Sequence, residues 1–203
     1  RLGGLREAQK AYDVFDQASA LALKGEHAQA LQLCRQAQSM RPRQAPFFRL
    51  EGDLLRATGR ASDALGAYRR AIEADRRYQP AVRGLGAANL ARNKLAEAEA
   101  GFRDAVRLLP ADLDSHFGLG MASFGQGKYA EAASSFETVT KAVAYPPALT
   151  YLGLSCEKLG QRDKAIQAYR ACLEAGTGEW QDSEVVKQAS ARLEQLGAAA
   201  TPK

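Results

Sequence analysis

The sequence has 203 residues, room for one or two compact domains, and its 46% apolar and 25% charged residues argue against a disordered chain. The net charge of +5 is carried by interleaved acids and bases, as in Arg69, Arg70, Glu73, Asp75, Arg76 and Arg77. That pattern describes a solvated surface laced with salt bridges; a nucleic-acid face would gather basic residues among aromatics.

No apolar run reaches transmembrane length and no signal peptide is present, so direct membrane insertion is not expected. The chain begins at Arg1 without a Met and is expected to be a processed or excised piece, so the missing leader says nothing about compartment. Cys34, Cys156 and Cys172 are an odd set without CxxC spacing, which argues against a disulfide framework.

In chain order, residues 1–10 are expected to be a tail or a joint to a preceding segment, with Gly3-Gly4 as the joint. Helices then follow in pairs. The spacing predicts about Glu7–Lys24 with His27–Met40, Ala45–Thr58 with Ala61–Ala74, and Gln79–Arg92 with Leu95–Leu108. Two further pairs are predicted at Leu113–Gln126 with Tyr129–Ala142 and at Pro147–Leu159 with Arg162–Ala175. Thr138-Val139-Thr140 weaken a helix slightly, and Ala144-Tyr145-Pro146-Pro147 forces an extended link, so the fourth-to-fifth junction is expected to be the least regular. Thr177-Gly178-Glu179 is a break. After it, Asp182 is expected to cap a last amphipathic helix to about Leu196, with Val185, Val186, Ala189, Leu193 and Leu196 on one face. That helix (180–197) is read as a lid on the fifth pair or, alternatively, as a partner-binding or dimerising helix. Residues 198–203 are expected to be a disordered tail.

The pairs are copies. Ala18, Gly52, Gly86 and Gly120 are 34 residues apart, and Gly153 follows after 33. Ala30, Ala64, Ala98 and Ala132 keep the same step, and Ala165 again follows after 33. Two independent series that shorten at the same place define five repeats: 11–44, 45–78, 79–112, 113–145 and 146–179. Small residues at these positions let antiparallel helices approach, and an aromatic or apolar residue four after each second-helix Ala fills the space toward the next unit. Gly25, Gly59, Gly127 and Gly160 fall where the first helices must stop.

The pattern Val82-x2-Leu85-Gly86-x2-Asn89, Ala98-x3-Phe102 and Pro110 resembles the tetratricopeptide repeat, and it recurs with His116-x2-Leu119-Gly120, Ala132-x3-Phe136 and Leu149-x2-Leu152-Gly153, Ala165-x3-Tyr169. The second unit carries Phe48-x2-Glu51-Gly52 with Ala64-x3-Tyr68; the first, with Ala30-x3-Cys34 and Pro42, is the most degenerate. The resemblance implies an all-α, right-handed superhelical solenoid of about five helix-turn-helix repeats plus a C-terminal capping helix. It also implies that an extended peptide or partner protein binds along the first helices. The positions that would line that groove are Tyr12, Phe15, Ser19 and Leu23; Arg49, Asp53 and Arg56; Arg83, Ala87 and Leu90; Phe117, Met121 and Phe124; and Thr150, Leu154, Glu157 and Lys158. Phe117, Met121 and Phe124 share one face at i, i+4, i+7, and either line the groove or pack against neighbouring first helices. Arg49, Arg56 and Arg83 either meet a carboxylate or peptide carbonyls, or are a solvated charged face. The Lys and Asn clamp by which some members hold acidic chaperone tails is missing: Phe15 and Ser19 stand at the matching positions.

Pro42–Leu55, Ala67–Tyr78 and Leu108–Pro110 also resemble the C-terminal repeat region of bacterial periplasmic zinc metalloproteases linked to outer-membrane protein assembly. That likeness implies a periplasmic, non-catalytic, partner-holding portion whose HExxH would lie upstream of Arg1. The chain itself has no HExxH, P-loop or dinucleotide motif. His27 falls in a turn, His116 takes the family's Trp position and is expected to be partly buried, and the three Cys take packing positions. No cofactor, metal site or catalytic group is expected. The expected function is a protein-interaction scaffold; the alternative is an assembly subunit of a bacterial secretion, pilus or polysaccharide-export system.

Overall fold

The computed structural model describes residues 2–198, with side chains from Arg6 onward. Beyond Ala198, the stretch expected as a disordered tail lies outside the described residues. Every regular element among the described residues is helical. The chain falls into two compact units, residues 1–110 and 111–203. The first unit contains α1 (Leu2–Leu23), α2 (His27–Met40), α3 (Ala45–Ala57), α4 (Ala61–Ala74), α5 (Gln79–Ala91) and α6 (Leu95–Leu108). The second contains α7 (Leu113–Gly125), α8 (Tyr129–Ala142), α9 (Pro146–Lys158), α10 (Arg162–Ala175), a 3₁₀ turn over Gly178–Trp180, and α11 (Glu184–Gln195).

All five second helices keep the limits predicted from the sequence, because their buried face is regular. Each presents a triplet at i, i+4, i+7 that is almost wholly excluded from solvent: Ala30-Cys34-Ala37, Ala64-Tyr68-Ala71, Ala98-Phe102-Ala105, Ala132-Phe136-Val139 and Ala165-Tyr169-Cys172. Fully burying a large apolar side chain contributes about 1.5–3 kcal/mol. The small residues on either side of each aromatic make the close approach. A Cβ added to Gly52 would lie 2.6 Å from the Tyr68 ring, and one added to Gly84, on α5, only 2.3 Å from it.

The turns inside the repeats share one device. Gly25, Gly59, Gly127 and Gly160 end the first helices with φ of 79°, 75°, 76° and 71°. In the third repeat the same place belongs to Asn93, at φ 56°, a conformation Asn tolerates better than most residues. Links between repeats differ. Residues 41–44 and 75–78 each contain a turn, whereas residues 143–145 are closed only by the short hydrogen bond from Tyr145 N–H to Val143 O at 2.9 Å. Tyr145 is extended (ψ 108°), and Pro146 and Pro147 open α9, where a missing N–H costs no helical hydrogen bond.

Three expectations are corrected. The first helix does not begin near Glu7: α1 runs from Leu2, through the Gly3-Gly4 pair read as a joint. The last helix begins at Glu184, so Ser183 and not Asp182 precedes it, and the Ser183 hydroxyl donates to Trp180 O at 2.6 Å. The break before it is partly ordered as a 3₁₀ turn whose Trp180 ring packs edge-on to Tyr145 at 5.5 Å.

Candidate partner-binding site

In the first unit the first helices α1, α3 and α5 lie side by side. Two groups of the residues singled out above come together there. Phe15 stacks on Phe47 with centroids 4.7 Å apart, and Tyr12 meets the same ring edge-on at 5.4 Å while its hydroxyl donates to Gln44 Oε1 at 2.8 Å. Phe47 is fully buried and Tyr12 is 39% exposed, so this group is a seam between α1 and α3 with one open edge. The second group sits on α3 and α4. Arg49 pairs with Asp53, and Asp53 Oδ1 accepts the Tyr68 hydroxyl at 2.7 Å. Burial pushes the Tyr68 phenol up, the Asp53 charge adds to the shift, and Arg56 partly opposes it. The phenol therefore stays a donor toward the first-helix face. Arg83 and Leu90 are half-buried on α5.

In the second unit the apolar stripe of α7 is absorbed into a run of rings. Phe117 packs on Phe136 (5.7 Å) and Tyr145 (5.4 Å); Phe124 meets Tyr129 and Tyr151, both at 5.4 Å; Tyr151 stacks on Phe136 at 5.7 Å. Met121 packs against the same cluster. Phe117, Met121, Phe124, Tyr145 and Tyr151 are nevertheless only half-buried. Of the two alternatives read from the sequence, the packing one is seen directly: the stripe meets the neighbouring first helix α9 through Tyr151, while its side chains keep a partly exposed surface. Burial, with the Asp114 charge adding, pushes the Tyr145 phenol up.

On α9 the expected groove positions are already taken. Thr150 is fully buried and its hydroxyl donates to Val185 O at 3.0 Å. Glu157 is bound through both oxygens by Arg192 of α11 and accepts the Tyr169 hydroxyl. Burial alone would raise the Glu157 carboxyl, but these hydrogen bonds outweigh it and hold the group below its ordinary range. Leu154 packs against the cluster that α11 closes, while Lys158 stays exposed at the end of α9. α11 therefore covers this face of the fifth repeat.

Sequence reasoning missed two features. One is Glu51, which stands where the repeat has Leu. It is 4% exposed and bridges three helices: Arg35 of α2 at 3.1 Å, Arg70 of α4 at 2.6 Å, and Gln38 of α2 at 3.0 Å. A Glu in a Leu position, with Arg35 and Gln38 at i, i+3 on the preceding helix, was the signal. The other is Tyr145, Tyr151 and Trp180, which extend the α7 stripe; they lie outside α7, so no pattern on that helix could have named them.

Cys34, Cys156 and Cys172 are free and buried. Cys34 donates to Phe47 O at 3.0 Å, and burial, with the Glu51 charge adding, pushes its thiol up to about 12. Burial also raises Cys156 and Cys172. Such thiols act as small packing groups. His116 is half-buried, and the Nδ1 of His27, the first residue of α2, is buried with no hydrogen-bond partner among the described residues. Among the described residues no three His, Cys, Asp or Glu side chains gather as a metal site, and no helix is long and apolar enough to cross a membrane.

The family model of the tetratricopeptide repeat matches residues 49–112 and 116–179. The chain belongs to the tetratricopeptide repeat family. Tetratricopeptide repeat proteins of known structure share its fold at low identity. PilF of Pseudomonas aeruginosa is 18% identical with a TM-score of 0.77, covering 93% of both chains. PilW, described as a widely conserved type IV pilus biogenesis factor, is 19% identical with a TM-score of 0.74, covering 87% of this chain and 81% of its own. YrrB, described as a tetratricopeptide repeat protein with an unusual peptide-binding site, is 20% identical with a TM-score of 0.70, covering 88% of this chain and 90% of its own. No curated protein sequence matches the chain. The run Pro42–Leu55, which carried the likeness to the metalloprotease repeat region, supplies Phe47, Phe48, Leu50, Glu51, Leu54 and Leu55 to the interior.

Proposed function

We propose that the chain is an interaction scaffold that holds a peptide or a segment of a partner protein against the first helices of its repeats. The observation that carries this reading is the ring cluster of the second unit. Phe117, Met121 and Phe124 are only half-buried even though Phe136, Tyr145 and Tyr151 pack around them. Rigid rings with one open side bury apolar area on binding at little cost in side-chain freedom. In the first unit Arg49, Asp53 and Arg56 supply ordered donors and acceptors suited to main-chain recognition.

The test is peptide selection on the immobilised chain, followed by titration of the selected peptides against wild type and a Phe117→Ala/Met121→Ala/Phe124→Ala variant. Loss of about thirtyfold in affinity is expected if these are anchors. An unchanged affinity in a variant with wild-type helical content removes them from the site.

A narrower reading, an assembly subunit of a type IV pilus or related export system, is supported by the fold shared with PilF and PilW. Co-purification of pilus components with the tagged full-length protein, abolished by the same triple variant, is the expected result for it.

A further inference from the structure

The two units differ in charge. Residues 1–110 hold 19 Lys and Arg against 12 Asp and Glu, a balance of +7; residues 111–203 hold 9 against 11, a balance of −2. Within the positive unit lies a cleft of about 460 Å³, lined by Pro42, Arg43, Phe48, Arg70, Glu73 and Ala74. The α2–α3 link forms one wall and the second half of α4 the other. The cleft belongs to neither group of residues placed above on the first-helix face.

Its chemistry is set by three side chains. Phe48, 8% exposed, is an apolar floor. The Arg70 guanidinium carbon lies 4.8 Å from the Phe48 ring centroid, and its Nη2 donates to Glu51 Oε2 at 2.6 Å, so its position is fixed from two sides. Glu51 neutralises only one of the two guanidiniums it binds, Arg35 and Arg70, and that network keeps a net positive charge beside the floor. Arg43, exposed on the link, has no hydrogen-bond or ion-pair partner among the described residues. Glu73 is the one carboxylate in the lining.

We propose that this cleft is a second interaction surface, and that it takes an acidic protein segment carrying an apolar side chain. The apolar group would lie against Pro42, Ala74 and the edge of Phe48 that Arg70 leaves open, and the flanking carboxylates would meet Arg43 and the outer edge of Arg70. Glu73 decides between this occupant and an anionic lipid surface. A carboxylate in the lining repels a dense sheet of phosphates, but it accepts hydrogen bonds from the backbone N–H groups of a peptide.

The experiment selects peptides from a random display library on the full chain and on its Arg43→Glu variant, at low and at physiological salt. Arg43 is exposed and unpartnered, so the variant is expected to keep its fold, checked by circular dichroism. Wild type is expected to enrich peptides that combine Asp or Glu with an apolar residue. The variant is expected to bind those peptides about tenfold more weakly. The Phe117→Ala/Met121→Ala/Phe124→Ala variant is expected to enrich them as wild type does, which separates this surface from the ring cluster. Absence of acidic enrichment, or equal affinity in the Arg43→Glu variant, overturns the proposal. So does Arg43-dependent binding to phosphatidylglycerol vesicles without selection of acidic peptides.

Discussion

The Tyr68 hydroxyl donates to Asp53 Oδ1 at 2.7 Å, linking a fully buried ring on α4 to an acid on the first-helix face of α3. The fifth repeat makes the same kind of link between Tyr169 and Glu157. The third and fourth repeats carry Phe102 and Phe136 at this place. A hydroxyl added to the ring must find an acceptor where it emerges, and an acidic residue of the paired first helix supplies it. The Tyr68→Phe variant should therefore lose only the hydrogen bond, about 0.5–1.5 kcal/mol in urea unfolding. Tyr68→Ala, which empties the space between α3 and α5, should lose about 3–5 kcal/mol.

Glycines in these helices are expected to respond oppositely to the same change. At Gly84 a new methyl would meet the Tyr68 ring at 2.3 Å, and the ring is held between Gly52 and Gly84. Gly84→Ala should destabilise by about 1–3 kcal/mol through overpacking. Gly66 is exposed on α4 with nothing within 4 Å of an added Cβ. Gly66→Ala should stabilise by about 0.5–1 kcal/mol, by helix propensity alone. Denaturant midpoints of the two variants on opposite sides of wild type are the expected outcome.

Acid should loosen the C-terminal helix. The Glu157 carboxyl is held below its ordinary value of 4.5 in the folded chain, so the unfolded chain takes up the proton first. The stability this group contributes is complete above about pH 4.5 and is lost as pH falls through the lower, folded value. Its main partner, Arg192, belongs to α11, so amide protection in Glu184–Gln195, corrected for the pH dependence of intrinsic exchange, should fall at acid pH ahead of α9 and α10. Glu157→Gln should remove that pH dependence; an α11 exchange profile with the same pH response in the variant would assign it to other groups.

The thiols should be silent until the chain unfolds. Cys34, Cys156 and Cys172 are each at most 1% exposed, and burial raises all three, Cys34 to about 12. A thiol-reactive dye at mildly alkaline pH should therefore find none of them in the native protein and all three in guanidinium. Rapid labelling of one thiol in the native protein would place it outside the core.

Much of the fold is written locally. The step from Ala30 to Ala64 to Ala98 places each second helix because the repeat must present the same buried triplet in every copy. Glu51 shows where such reading stops. At a Leu position it looks like a defect, and only the arrival of Arg35 and Gln38 from α2 and Arg70 from α4 makes it a satisfied buried group. The candidate site divides in the same way. Phe117, Met121 and Phe124 are legible as a second apolar face of α7, but Tyr145, Tyr151 and Trp180 come from a link, another helix and a 3₁₀ turn. Thr150 and Glu157 were placed on an open face, and α11 covers them.

By itself the sequence determined the family, the helical pairs and the buried triplets. Those depend on spacings within one helix or between copies of one unit, and a repeat writes its packing once and reuses it. The tertiary structure decided which acids meet which hydroxyls and guanidiniums, how far the apolar stripe is buried, and where unpaired charge borders a cleft. These depend on side chains brought together from helices that no sequence period relates.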